Sequence, residues 1–259
     1  MNEKRPPASL MPHPPLADYY ATVENRRGFV RDIFNNTAAD YDRIERVMAF
    51  GSGPWYRRRT LVRAGLQPGM RVLDVAMGTG LVAREAMVLV GPSGQVIGLD
   101  PSIGMVREAK RTLALPVILG RGESLPLPAQ TFDFLSMGYA LRHVNDIDAA
   151  VREYFRVLKP GGRVCLLEIT RPHSRIALFA LRVYMRGLVP LLARVLTRHS
   201  ETVRLMEYYW DTIAACVPPE MILAALTHAG FEQVQRHTEL GIFSEYVGVK
   251  PAVDPASKL

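Results

Sequence analysis

Val72-Leu-Asp-Val-Ala-Met-Gly-Thr-Gly80, with Asp100 twenty residues beyond Gly80, decides the fold. Val72, Leu73 and Val75 make a short apolar strand, Gly78 and Gly80 turn the chain, and Leu81 to Val90 reads as a helix. Gln95-Val-Ile-Gly-Leu-Asp100 is a second strand that ends in a carboxylate. The glycines let backbone approach a ligand closely, and an acid at the second strand end can accept both hydroxyls of one ribose. This is a nucleoside-binding βαβ unit.

Outward from this unit, strand and helix signals alternate: Val117 to Leu119, Phe132 to Met137, a helix from Ile147, then Arg163 to Ile169. The pattern predicts an α/β fold, doubly wound, with a seven-stranded, mostly parallel sheet. Helices precede it, and a helical insertion comes before a last hairpin of Val234 to Arg236 and Ile242 to Val249. Between Asp18 and Ala64 apolar residues recur at three- and four-residue steps, interrupted at Asn35-Asn36 and at Gly51-Ser-Gly-Pro54, which predicts two or three helices. Prolines 6, 7, 12, 14 and 15 predict a disordered tail over residues 1–17. A single domain is expected over 18–250, with a helical cap at 18–66, covering helices at 171–217 and a flexible C-terminus at 251–259.

Two ligand classes fit the turn. Gly78-x-Gly80-x-x-Ala83 satisfies a dinucleotide fingerprint, with Asp100 at the expected distance. Asp74 opposes that reading, because a carboxylate at the lip of the turn repels a pyrophosphate and suits a ligand ammonium. S-adenosylmethionine carries an ammonium and a sulfonium, and amides at the helix start can meet its carboxylate. The charge favours the methyl donor.

Composition sets the remaining bounds. The 259 residues are 48% hydrophobic, ordinary for a chain with a real core. Cys165 and Cys216 show no metal spacing and no disulfide framework, so no metal site and a reducing cytoplasm are expected. No secretory signal is read at the start. The net charge of +7 lacks a basic run interleaved with aromatics, and nucleic acid is not an expected partner.

Several motifs together resemble a known family. They are Val72 to Gly80, Glu123-Ser-Leu-Pro126, Thr131-Phe-Asp133, Leu141-Arg-His143 and the run from Arg156-Val-Leu-Lys-Pro-Gly-Gly162 to Glu168. They resemble class I S-adenosylmethionine-dependent methyltransferases and, more narrowly, the ubiquinone/menaquinone C-methyltransferase family. The likeness runs from Phe34, through Tyr41-Asp42, to Phe231. It implies that Asp74, Gly78, Thr79 and Gly80 bind the methionine part of the donor and that Asp100 binds its ribose. It places Arg121, Gly122 and Glu123 in the adenine loop and Gly138 beside the cofactor. Arg121 stands where the family has Asp or Asn, and a guanidinium cannot accept a bond from the adenine amino group. Gly138 stands in place of a Ser.

The acceptor side departs further. Gly53 replaces a family His, Trp55 is displaced by one position, and Tyr139-Ala-Leu-Arg142-His143 replaces Phe-Gly-x-Arg-Asn. The resemblance implies that Arg142 favours the phenolate of a quinol, with His143 or Tyr139 near it. His143 has the intrinsic pKa range of a general base, or else packs at the strand end.

Between Arg171 and Arg198 there are six arginines and no acid. Arg182, Arg186, Arg194 and Pro190 interrupt the apolar run too often for a simple membrane span. On a helix Leu178, Leu181, Met185 and Leu188 share a face that can cover a substrate pocket, rest on a bilayer as a peripheral contact, or pack on a second subunit as a homodimer. The expected function is C-methylation of a lipophilic hydroquinone or phenol from S-adenosylmethionine by a cytoplasmic enzyme, membrane-associated if residues 175–198 touch lipid. The alternatives are an N- or O-methyltransferase of a phospholipid amine or secondary metabolite, a nicotinamide-dependent oxidoreductase, and a non-catalytic cofactor-binding protein.

Overall fold

The computed structural model describes residues 9–20, 22–197 and 200–252. Strand β1 (Arg71–Val75) lies at the centre of the sheet, pairing in parallel with β2 (Gln95–Asp100) and β4 (Phe132–Gly138). With β3 (Val117–Leu119), β5 (Leu158–Ile169), β6 (Glu232–Glu239) and β7 (Phe243–Val249), the order is β3-β2-β1-β4-β5-β7-β6. Only the β7 pairings are antiparallel, so the final hairpin is added to a parallel sheet as expected. Reversal of strand order beside β1 opens a crevice at the carboxyl ends of β1 and β4, where open α/β sheets bind ligands.

Helices α3 (Leu81–Val90), α4 (Ile103–Thr112) and α5 (Ile147–Val157) follow β1, β2 and β4 and cover the sheet. Phe132, Phe134, Leu73 and Leu99 are fully buried in the two layers between sheet and helices. A third cluster stands apart, where α1 (Val23–Met48) meets α6 (Arg175–Val183), α7 (Val189–Leu196) and α8 (Ser200–Ala215). Helix α2 (Gly53–Arg63) precedes β1, and α9 (Pro219–His228) precedes the hairpin.

Three expectations are corrected here. Helix α1 runs unbroken through Asn35-Asn36, because Asn35 turns its side chain outward to accept from Ser102 Oγ at 2.7 Å and Gly104 N–H at 2.9 Å. A Cβ on Gly104 would lie 2.6 Å from the Asn35 carbonyl oxygen, so the glycine lets α1 cross the start of α4. Residues 9–17 are anchored at points: Leu10 accepts from Ile147 N–H, Pro12 accepts from Val217 N–H, and Pro12 and His13 are buried, while five of the nine remain exposed. Prolines leave fewer backbone donors to satisfy, so an extended segment can lie in a groove without a ladder. The rest of the expected tail, residues 1–8, and residues 253–259 lie outside the described residues. Finally, Arg182, Arg186, Arg194 and Pro190 do not stop residues 175–196 from being long and apolar enough to cross a membrane by length and composition alone, and Pro190 is carried within the covering helices. A π turn at Tyr184–Leu188 precedes it, with Val189 N–H reaching back five residues to Tyr184 O.

Candidate active site

Asp74 is fully buried at the end of β1. Ser136 donates to its Oδ1 at 2.6 Å, whereas Oδ2 has no partner. Burial pushes its pKa up to about 7, partly opposed by the Ser136 bond, the Ala83 backbone amide and the Arg57 charge. An orphaned buried oxygen of this kind is costly unless a cationic group comes to it. Next along the turn, Ala76, Gly78 and Gly80 have φ of 51°, 60° and 88°. A Cβ on Gly80 would lie 2.3 Å from Leu113 Cδ1, so this glycine serves packing. One on Gly78 would meet nothing within 4 Å, so that glycine leaves room for a ligand. Asp100 accepts from Ser102 N–H and Gly78 N–H, both at 2.8 Å, through different oxygens. Burial still raises its pKa to about 6, and one lone pair per oxygen remains for ribose hydroxyls. Thr79 gives its hydroxyl to Asp42, which ties α1 to the turn.

The far end of this donor chamber is closed by the expected loop. A Cβ on Gly122 would lie 2.7 Å from the Tyr154 hydroxyl. Glu123 Oε1 accepts from the backbone and side-chain amides of Asn145, at 2.7 and 3.1 Å, and so pins the loop to the segment before α5. Arg121 is exposed at the chamber's edge. Gly138, at the end of β4, could not carry the family's Ser without movement, since its Cβ would lie 2.6 Å from Val82 Cγ2.

The three residues expected to act on the acceptor divide. Tyr139 sits at φ 59° just past β4, lining both the donor chamber and a second, apolar chamber of about 340 Å³. Burial raises its phenol pKa, so the hydroxyl stays protonated. Arg142 is 1% exposed and committed: its guanidinium donates to Glu168 at 2.7 Å, to Tyr139 O at 2.7 Å and to Thr212 Oγ1 at 3.2 Å. It also stacks over Tyr209. Its charge is met by Glu168 and its geometry is that of a brace, while the side chain also lines the apolar chamber. His143 lies on the donor side, stacked 5.4 Å from Tyr208 with neither ring nitrogen partnered. Burial, then Arg142 and Arg26, holds its pKa well below the imidazole range, which makes it a poor base. The packing alternative for His143 is the one its surroundings favour.

The acceptor chamber holds a residue that sequence reasoning passed over. Arg57 of α2 is buried in its wall, paired with Glu45 and 6.0 Å over the Tyr139 ring, and its Nε has no partner. Gly53 makes this arrangement possible, because a Cβ there would lie 2.6 Å from Arg57 Nη1 and 2.8 Å from Glu45 Oε1. Tyr41 and Tyr209, hydrogen-bonded at 2.8 Å, stand between the two chambers. Gly53 in place of a family His was the only signal of this site. At the chamber's edge, which Glu239 lines, His237, Glu239 and Glu245 bring ligand atoms within 4.8 Å of one another. Glu239 and Glu245 are occupied by Arg63, and the cluster is a salt-bridge network.

A buried acid with one orphaned oxygen, a glycine with space before it and a ribose-type acid at the next strand end fit S-adenosylmethionine. Asp74 would meet the ammonium, the first amides of α3 the carboxylate, and Asp100 the ribose. Fold and site together define an S-adenosylmethionine-dependent methyltransferase. The sequence matches the ubiE/COQ5 methyltransferase family over residues 21–250. It is 32% identical over 259 residues to the ubiquinone/menaquinone biosynthesis C-methyltransferase UbiE of Pseudomonas aeruginosa, covering 97% of this chain and 100% of that one. The protein of the same description from Shewanella woodyi is 34% identical over 242 residues, covering 89% and 95%. Among solved structures, a SAM-dependent methyltransferase from Thermotoga maritima superposes with a TM-score of 0.60 at 21% identity, covering 85% and 99%. The chain belongs to the ubiE/COQ5 methyltransferase family.

Proposed function

We propose that the enzyme methylates a ring carbon ortho to a hydroxyl of a lipophilic hydroquinone or phenol, as a step of ubiquinone or menaquinone biosynthesis. The observation that carries this reading is Arg57, a buried guanidinium paired with Glu45 but with an unpartnered Nε, in a largely apolar chamber that Asp74, Gly78, Thr79 and Tyr139 of the donor site also line. The names of the curated relatives support the acceptor class. The donor supplies a sulfonium-activated methyl group.

The protein's residues do the rest. Apolar walls from Met48, Trp55, Met185 and Phe243 exclude water and seat the ring. Arg57 holds the hydroxyl oxygen and stabilises its anion, which makes the ortho carbon nucleophilic. Glu45 offers a carboxylate for the proton. As the ring carbon–methyl bond forms, the sulfur–methyl bond breaks to leave a neutral thioether. Glu45 returns its proton to the oxygen and takes the ring proton, which restores aromaticity and leaves one proton to be released to solvent. Alignment along the line of methyl transfer falls to the Tyr41, Tyr139 and Tyr209 wall.

The test is incubation with S-adenosylmethionine and a short-chain prenylated hydroquinone lacking a ring methyl, read by mass spectrometry and carbon NMR. The expected product is heavier by one methyl bound to carbon. A methyl on oxygen, or turnover only on amines, overturns the reading. Arg57→Met is expected to lower kcat on the order of a hundredfold while leaving donor affinity intact.

A further inference from the structure

The covering helix has two apolar faces, and only one is used. Leu181, Met185, Val189 and Ala193 recur every four residues and are buried against Leu205, Met206 and Tyr209 of α8. On the other side Ile176, Phe179, Val183, Leu188, Leu191 and Val195 are between 42% and 82% exposed. Their steps are three, four, five, three and four residues. The five-residue step falls on the π turn at Tyr184–Leu188, which keeps the outer stripe in phase along the whole segment. A contiguous outward stripe of this kind marks an interaction surface.

The arginines say what it meets. Arg175, Arg182 and Arg194 are exposed and make no ion pair among the described residues, while Arg186 pairs with Asp211 at 3.3 Å. No acid occurs from Arg171 to Arg198. A two-fold dimer through this stripe would bring like-charged segments together with no acid on the segment to answer them. Residues 175–196 are long and apolar enough to cross a membrane by length and composition alone, but Leu181, Met185, Val189 and Ala193 are buried in the cluster shared with α8, which favours a segment lying on a surface. An anionic lipid surface satisfies both features, with the apolar stripe among acyl chains and guanidinium groups at the headgroups.

The surface also continues to the chamber mouth. Tyr184 of the same segment lines the acceptor chamber, as does Leu240, which is 83% exposed at the β6–β7 turn. Phe50 is 81% exposed and its ring lies 6.4 Å from Tyr184. Both tips hold left-handed backbone, φ 48° at Phe50 and 53° at Leu240, a strained way to present an apolar side chain to water.

We propose that the outer face of residues 175–196, with the Phe50 and Leu240 tips, docks the enzyme on an anionic bilayer and opens the acceptor chamber toward it. This goes beyond the acceptor reading, and its test needs no acceptor. Full-length enzyme with S-adenosylhomocysteine is sedimented with vesicles of phosphatidylcholine alone or with one-third phosphatidylglycerol. Binding is expected to the anionic vesicles and to weaken with salt. Ile176→Ser with Phe179→Ser should weaken it by roughly tenfold or more, and Arg175→Gln with Arg182→Gln by about fivefold per charge removed. These residues are exposed and line neither chamber, so melting temperature and turnover of a water-soluble short-chain acceptor should be retained. No vesicle binding, or binding that ignores the substitutions or the lipid charge, overturns the proposal. A dimer in sedimentation equilibrium that Ile176→Ser with Phe179→Ser turns into monomer, without vesicle binding, assigns the face to a second copy instead.

Discussion

Gly53 and Arg57 share one space: a side chain on the first would lie 2.6 Å from the guanidinium of the second. The neighbour is the far end of a flexible side chain, so Gly53→His, the residue the resemblance implies at this position, should fold. It displaces the Arg57–Glu45 pair from its place over Tyr139. The expected stability loss is up to about 3 kcal/mol, since a buried pair is displaced, and kcat on the hydroquinone falls on the order of a hundredfold in protein that is still folded at the assay temperature. Thermal melts and steady-state kinetics on the same preparation separate the two effects. Full activity in the variant would mean that the pair is not part of the acceptor site.

Donor affinity should rise with pH. Asp74 has a pKa of about 7 in the folded chain, raised chiefly by burial, and its free oxygen suits an ammonium only when ionised. The sign for the protein alone is opposite. A raised folded pKa contributes stability below the unfolded value near 3.8 and loses it as pH climbs through about 7. The free enzyme is therefore strained by ionised Asp74, and the donor relieves that strain. Calorimetry from pH 5.5 to 8 should show binding tighten by up to about tenfold per unit below the pKa and then level. Asp74→Asn should bind weakly and without this slope; a sloping profile in that variant assigns the titration elsewhere.

The contrast between those two sites is also the contrast between what could and could not be read from sequence. Asp74, Gly78, Gly80 and Asp100 belong to two strand ends and one turn, so backbone geometry brings them together whatever the helices do. Their spacing is the site. The acceptor chamber is assembled from Glu45 and Arg57 on α1 and α2, Tyr139 after β4 and Tyr209 on α8. Helix packing decides that assembly, and no spacing encodes it. Arg142 was legible as important but not in its role, since Glu168 and Thr212 lie 26 and 70 residues away in the chain. Asn35 was misread for a similar reason: as a helix breaker it is a local signal, and its partners at Ser102 and Gly104 override it.

Arg142 and Glu168 should prove structural before they prove catalytic. Their side chains are 1% and 2% exposed, and removing either leaves the other buried without its counter-charge. Glu168→Gln is expected to cost about 3–5 kcal/mol, read by denaturant unfolding. Replacing both, as Arg142→Met with Glu168→Leu, should recover most of that loss, because apolar groups of similar volume often substitute for a buried pair. If this double variant also turns over at the wild-type rate, the pair contributes stability alone. A stable but slow variant, with KM raised more than kcat is lowered, identifies it as the brace that positions Tyr139 through the carbonyl bond.

His13 gives the segment before α1 a pH-dependent hold on the same brace. Arg26 can only donate, so His13 Nε2 accepts its bond at 3.1 Å, and Nδ1–H donates to Pro14 O at 2.7 Å. Arg26 passes the contact on by donating to the Arg142 carbonyl at 2.8 Å. Burial and the Arg26 charge lower the His13 pKa to about 4. A depressed folded pKa contributes stability that is whole above the unfolded value of 6.5 and is lost as pH falls through about 4. The loss should reach roughly 3 kcal/mol at most. Asp74 and Asp100 titrate in the same window with the opposite sign, so the wild-type curve alone conceals it. The difference between wild type and His13→Gln isolates it: the stability gap should shrink steadily from pH 6.5 to 4. A gap that stays constant across that range would show that His13 is not held neutral in the groove.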